Sequence, residues 1–300
     1  MPLRSALAAV LVAIIWGLNF VVIDLGLEGM PPALFVALRF AVVIVPAIFF
    51  VPRPTARFRD VVLIGLFMSL GQFGLLYTAL AIGMPAGLAS LVLQAQVVFT
   101  VVFAALALRE TPTRSQIIGV SIGAIGLVVV GSGRNADTPA LAFMVTLAAA
   151  TSWALGNVIA RRIGRGGATP SRLAGLSLTV WSALVVPIPM FLLAIMLNGA
   201  DAVGFALTHL TMPQVLSTAY TAWLASLVGY GIWNTLLARH AASAVVPFTL
   251  LVPPVGMVTA WLVLDEVPTI AEAGGGVMLL LGVAITTGIL RRRGIREKRV

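Results

Sequence analysis

The chain contains no cysteine and a single lysine, Lys298, among its last three residues. The first absence removes disulfides and thiolate metal sites. The second removes any phosphate-cradling loop that ends in lysine, the nucleotide-binding device of ATP-driven pumps. Histidine is almost missing as well: His209 and His240 are the only two, and both fall between apolar blocks. A hydrolase working inside a membrane would need a nucleophile beside a base. Aspartate-rich motifs for diphosphate–metal chemistry are missing too, so an enzyme is not expected, and neither is a cofactor or a metal site.

Charge is the next scarcity. Charged residues make up 10% of the chain, against about 25% in soluble domains. The ten acids are Asp24, Glu28, Asp60, Glu110, Asp137, Asp201, Asp265, Glu266, Glu272 and Glu297, all at the ends of apolar blocks or between them. Proton-coupled pumps commonly keep a carboxylate at membrane depth, where it can be cycled between charged and neutral forms. Without one, movement of cargo down its gradient is at least as reasonable as proton antiport. The same lack argues against a mechanism in which a buried glutamate meets a cationic drug.

What the chain does have is apolar length. Sixty per cent of its residues are hydrophobic, and a bilayer core of roughly 30 Å takes about 20 apolar residues of helix. That ruler predicts helices over 4–24, 32–51, 60–82, 86–108, 115–132, 140–160, 172–197, 213–238, 244–264 and 270–290. Backbone groups in lipid must bond within their own segment, so the runs are helices. The first is read as an uncleaved helix, since no small-residue cleavage site follows it. The net charge of +9 comes from arginine clusters between apolar blocks with no interleaved aromatics. This is an orientation signal, and nucleic acid is not an expected partner. Threading ten helices with the N-terminus inside puts seventeen of the nineteen Lys and Arg residues on the cytoplasmic side, leaving Arg134 outside and Arg39 within the second helix. Both termini are therefore expected in the cytoplasm.

The second half repeats the first. Leu108-Arg109-Glu110-Thr111-Pro112 recurs as Leu264-Asp265-Glu266-Val267-Pro268 after 156 residues. The same offset pairs Tyr77 with Trp233, Leu80 with Leu236, Ala86 with Ala242 and Gly126 with Gly282. A shorter offset pairs Trp16 with Trp153, with Asn19 and Asn157 just beyond. Five helices per copy is an odd number, so the copies, residues 1–133 and 134–300, would enter the bilayer from opposite sides. The expected fold is thus all-α and polytopic, two inverted five-helix repeats around a central cavity. Inverted repeats of this kind belong to secondary transporters that expose one site alternately to either side.

Trp16-Gly17-Leu18-Asn19, the pair Arg39-Phe40 and the two x-E-x-P signatures at Glu110-Thr111-Pro112 and Glu266-Val267-Pro268 resemble the drug/metabolite transporter superfamily, EamA type. The likeness covers nearly the whole chain. Within the superfamily the chain looks most like the YddG-type exporters of aromatic and other neutral amino acids, which also handle some organic cations. The resemblance implies a basket of helices around a cavity, with helices five and ten at its margin. It also implies a small-molecule partner of that class in a bacterial inner membrane. A monomer is expected. Two alternatives stand beside export of amino acids: a multidrug, organic-cation or other metabolite carrier of the superfamily, or a non-transporting membrane assembly protein or scramblase.

Residue spacing nominates a pathway. Trp16 with Asn19, and Trp153 with Asn157, share helix faces near mid-depth; a ring beside an amide suits an amphipathic cargo, or glues helices together. Phe73 and Tyr77 in helix three, and Tyr230, Trp233 and Asn234 in helix eight, supply further aromatics. Tyr77 and Trp233 are candidate gates at opposite depths, or interfacial anchors. Gln96 and Phe99 of helix four and Phe248 of helix nine complete the candidate lining. Pro253-Pro254 is expected to hinge helix nine, whereas helix four, with Val97-Val98 there, is expected to run straight. Arg39 either meets a substrate carboxylate or, the preferred reading, pairs with Asp24 or Glu28. Gly119, Gly123 and Gly126, with Gly274, Gly275, Gly276 and Gly282, permit close backbone approach, within the chain or between protomers.

Overall fold

Segments this apolar have only one way to satisfy their backbone, and helices account for every regular element among the described residues. The structure, a computed structural model, describes residues 2–134, 136–164, 174–240 and 242–288. Eight helices are long and apolar enough to cross a membrane, and two shorter apolar ones lie among them. In chain order they are α1 (Leu3–Leu27), α2 (Pro32–Ala47), α3 (Phe58–Ala81), α4 (Ala86–Leu108), α5 (Arg114–Ser132), α6 (Ala140–Arg162), α7 (Gly175–Asn198), α8 (Met212–Leu237), α9 (Val246–Leu264) and α10 (Ile270–Thr286). A short helix, Ala200–Thr208, joins α7 to α8. Arg165, Arg172 and the basic tail from Arg291 lie outside the described residues.

Two expectations need correction. The apolar run of helix two extends to residue 51, but the helix stops at Ala47 with Val45 in extended conformation (φ −102°, ψ 118°). The cause is Pro46, whose ring pushes the residue before it out of the α region. Helix four does not run straight as expected; it is interrupted by a turn at Leu93-Gln94. Helix nine is irregular at the matching depth, a tight 3-10 segment, Val246–Leu251, running into the α-helix that carries Pro253 and Pro254 in its first turn. There a missing N–H breaks no ladder bond. Both helices are interrupted, so proline is not what sets them apart.

Several local devices recur 156 residues apart. Thr113 caps α5 and is capped in return by Gln116; Thr269 and Glu272 do the same for α10. Arg109 and Asp265 both end their helices in left-handed conformation, φ 52° and 55°. Two π-helical stretches, Gly65–Gly71 in α3 and Tyr220–Val228 in α8, also correspond. Wide turns of this kind leave carbonyls out of the ladder and often mark functional positions. Here neighbouring helices answer them: Ser152 of α6 donates to the Phe67 carbonyl at 2.8 Å, and Trp16 Nε1 of α1 donates to the Ala225 carbonyl at 2.9 Å.

The capping threonines are testable. Thr269 also donates to the Gly133 carbonyl at 2.9 Å, tying the start of α10 to the end of α5. Thr269→Ala is expected to cost about 1–2 kcal/mol and the more exposed Thr113→Ala about 1 kcal/mol, read as shifts of thermal unfolding in detergent. Equal, negligible shifts would show that the seam holds the caps in place without them.

Gly119 and Gly126 of α5 and Gly275 and Gly282 of α10 serve packing inside the chain. A Cβ on Gly126 would lie 2.6 Å from the Gly275 carbonyl oxygen, and one on Gly275 would lie 2.7 Å from that of Gly126. Backbones this close exclude any larger side chain.

Candidate functional site

The candidate residues fall into three groups. The first gathers between the middle of α1 and the last turns of α8. Trp16 of α1 packs its ring 5.1 Å from Tyr230 and 5.3 Å from Trp233, both on α8. Trp233 also joins a buried cluster with Ala9, Val12 and Leu236, against which Phe248 of α9 packs. Above this cluster a cleft of about 380 Å³ opens between the start of α1 and the end of α8, flanked by Arg4, Ser5, Thr235 and Arg239. Gly229 makes the crossing possible: a Cβ there would meet Trp16 Nε1 at 2.7 Å.

The second group lies between α2, α3 and α8. Tyr77 is fully buried, its ring 5.0 Å from Phe35 and 6.4 Å from Phe73. Phe73 lies 5.6 Å from Phe40. Arg39, only 2% exposed, enters this aromatic nest with its guanidinium carbon 4.0 Å from the Phe73 ring centre. Its Nη1 donates to the Tyr77 hydroxyl at 3.0 Å and its Nη2 to Ser226 at 3.2 Å. The expected pairing with Asp24 or Glu28 is not formed. The ion pairs of the described residues are Arg59–Asp60 at 3.9 Å and Arg161–Glu110 at 2.8 Å. Geometry explains the difference: Arg39 sits mid-helix, with aromatic rings in place of a route outward.

The third group joins α4 to α6. Asn157 donates to the Gln96 side chain at 2.7 Å and to Thr100 at 3.3 Å. Phe99 stacks loosely on Phe103, ring centres 6.4 Å apart. Among the described residues no ring contact or hydrogen bond links Trp16 and Asn19 to Trp153 and Asn157. Trp153 is half-buried against the main core, and Asn19 is buried with its Oδ1 unpartnered. Asn234 abuts Gly175 of α7. Tyr77 and Trp233 are both buried, which fits neither of them for anchoring at a membrane surface.

Three features of the site escape sequence reasoning. The π-helical stretches carry no proline or charge to announce them. Ser226, the partner of Arg39, is one serine among many. Glu266 stands out in the chain only as part of a signature, yet its carboxylate accepts from the Ala86 and Gly87 amides, each at 2.8 Å. It thereby caps α4 from across the chain, filling the role that free N–H groups at a helix start leave open. This contact borders a second cleft of about 260 Å³ with Gly83, Asp137, Asp265 and Glu272 on its walls. Burial pushes the Glu266 carboxyl above the usual carboxylate range; the two amides pull the other way, and Glu272 adds to the rise.

Bundled apolar helices that enclose a buried cation and a bonded pair of amides define a multi-pass membrane protein of the helical, inner-membrane kind; outer-membrane spans are barrels. Family comparison sharpens the class. The model of the EamA-like transporter family matches residues 3–132 and again residues 140–288. The chain belongs to that family. It is 43% identical to the "Probable amino-acid metabolite efflux pump" of Salmonella typhimurium, covering 99% of both chains. It is also 43% identical to the protein of the same name from Escherichia coli, covering 98% of both. A crystal structure of 19% identity superposes with a TM-score of 0.60, covering 95% of this chain and 97% of the other; that likeness concerns the fold.

Proposed function

We propose that this chain exports small amphipathic metabolites, aromatic or neutral amino acids and their relatives, across the inner membrane without ATP. The observation that carries the reading is the end-to-end likeness to proteins named amino-acid metabolite efflux pumps. The site chemistry agrees with it. The aromatic groups around Trp16 and Tyr77 suit an apolar side chain.

Transport would proceed by alternating access between two inverted five-helix repeats, 1–133 and 134–300, with the arginine-rich end facing the cytoplasm. The doubled family match and the devices repeated at 156 residues support this. The π-helical stretches Gly65–Gly71 and Tyr220–Val228 are the natural flexing points, since their ladders are already loosened. Pro253-Pro254 and the Leu93-Gln94 turn would accommodate the accompanying bends of α9 and α4.

Reconstituted liposomes loaded with a panel of aromatic and neutral amino acids test the reading, with and without a pH gradient. Flux without gradient dependence is the expected result, and no flux of any panel member would overturn it. Tyr77→Ala and Trp233→Ala address the gates. Each is expected to reduce flux at least tenfold, and full flux in both would remove the gate assignment. Cysteines placed at Asn19 and Asn157 in this cysteine-free chain separate a carrier from a non-transporting membrane protein. Labelling from both sides is expected of a carrier, labelling from neither of an assembly protein.

A further inference from the structure

Arg39 is the only basic side chain buried among the described residues. It projects from the middle of α2, and none of the carboxylates of the described residues pairs with it. Its hydrogen-bond partners, the hydroxyls of Tyr77 and Ser226, are neutral, so the positive charge has no counter-charge. Its Nε has no partner at all. A charge left so in a membrane interior is a functional group by default, because packing alone would favour an apolar residue there.

The guanidinium presents a specific shape. Nε and Nη2 form one edge of its planar fork, and that edge matches the two oxygens of a carboxylate. Nε is unused, and Nη2 has a second hydrogen beyond its long contact with Ser226. Phe73 lies against the guanidinium face and Tyr77 holds the far nitrogen, so the fork is oriented before any ligand arrives. Ser226 belongs to the π-helical stretch of α8 and itself donates to the Thr221 carbonyl at 2.8 Å. Loosening that stretch would uncover the free edge.

A second orphan faces the same region. Asn19 Oδ1 is buried without a partner. Asn19 lies seven residues from Gly26, almost the same helix face, and Gly26 abuts Phe35 of α2 and Ser217 of α8. The face of α1 carrying Asn19 is therefore turned toward the two helices that hold Arg39 and Ser226. An acceptor there suits an ammonium.

We propose that Arg39 is the carboxylate anchor of the transport site, with Asn19 receiving the amine, so that the cargo must carry a free carboxylate beside an apolar or neutral side chain. This rests on the export reading and narrows it: organic cations without a carboxylate would not be cargo. The carboxylate would pair with Arg39 as the Ser226 contact opens, and it would leave when that contact re-forms.

The test begins with wild-type protein, which needs no folding control. In exchange across liposomes, unlabelled competitors are compared against the panel amino acid with the largest wild-type flux. The N-acetyl derivative, which keeps the carboxylate, is expected to compete within about tenfold of the parent. The carboxamide, which lacks the carboxylate, is expected to compete at least a hundredfold more weakly. Arg39→Gln is expected to lose exchange at least tenfold, mainly through a raised half-saturation concentration, and Arg39→Lys, which keeps charge without the fork, to fall between. If the carboxamide competes as well as the parent, the anchor is wrong while the export reading stands. The anchor is equally wrong if a folded Arg39→Gln protein exchanges normally. If wild type moves no panel member, the export reading itself falls, and the anchor with it.

Discussion

Gly282→Leu is expected to leave almost no correctly folded protein. A Cβ at this position would lie 2.5 Å from both the Gly119 carbonyl oxygen and the Gly123 amide nitrogen, and 2.7 Å from the Gly123 Cα. These are backbone atoms, so no rotamer change can relieve the collision. Overpacking a well-filled interior ordinarily costs about 1–3 kcal/mol, and more where the neighbour cannot yield. Here α5 and α10 would have to separate along their whole glycine seam, since Gly119, Gly126 and Gly275 show the same close approach. Without a hydrophobic force between helices in lipid, such packing is what holds them together. Monodisperse recovery from detergent, compared with Gly274→Leu, checks the expectation. A Cβ on Gly274 meets nothing within 4 Å, so that variant should behave as wild type. Equal recovery of the two would mean that the seam contributes little.

Glu266→Ala is expected to have the second largest effect on stability. It strips the Ala86 and Gly87 amides of their carboxylate acceptor and breaks the link between the end of α9 and the start of α4. Each abandoned donor costs about 1–3 kcal/mol when water cannot fully replace the bond. The adjoining cleft admits some water, so a total of about 2–4 kcal/mol is expected. The pH dependence has a definite sign. Burial raises the folded carboxyl above the ordinary value, so the folded state holds a proton the unfolded chain would release. The stability owed to Glu266 is therefore fully present below the ordinary carboxylate range and declines as pH rises through the raised value. The gap in melting temperature between wild type and Glu266→Ala should narrow from pH 4 to pH 8. A gap that widened with pH would mean that the amides outweigh burial.

The capping boxes of Thr113 with Gln116 and of Thr269 with Glu272 are local pairings that apolar length by itself does not announce. The apolar runs are readable in the chain, as lipid demands an uninterrupted length and tolerates little else. The aromatic positions Trp16, Tyr77, Tyr230 and Trp233 are legible as candidates, and the fold brings Trp16, Tyr230 and Trp233 into contact. No ring contact or hydrogen bond among the described residues links the two Trp–Asn pairs, since a shared motif says nothing about which helices become neighbours. The expected partners of Arg39 fail on the same ground. Asp24 and Glu28 are near it in sequence, while its actual partners, Tyr77 and Ser226, are 38 and 187 residues away. A straight helix four rests on propensity, and the turn at Leu93-Gln94 overrides it.

The sequence alone determined where the apolar segments lie, that they are helices, and that the chain belongs to the EamA-like transporter family. Those properties are set by composition, by spacing within a few residues and by motifs that survive in linear order. Only the tertiary structure decided that Glu266 caps α4, that glycines of α5 and α10 close on one another, and that a buried arginine stands among aromatic rings without a counter-charge. Each of these is a contact between helices far apart in the chain. Hydrocarbon is indifferent to which apolar faces meet, so the choice falls to side-chain shape and to the few polar atoms that cannot be left unbonded.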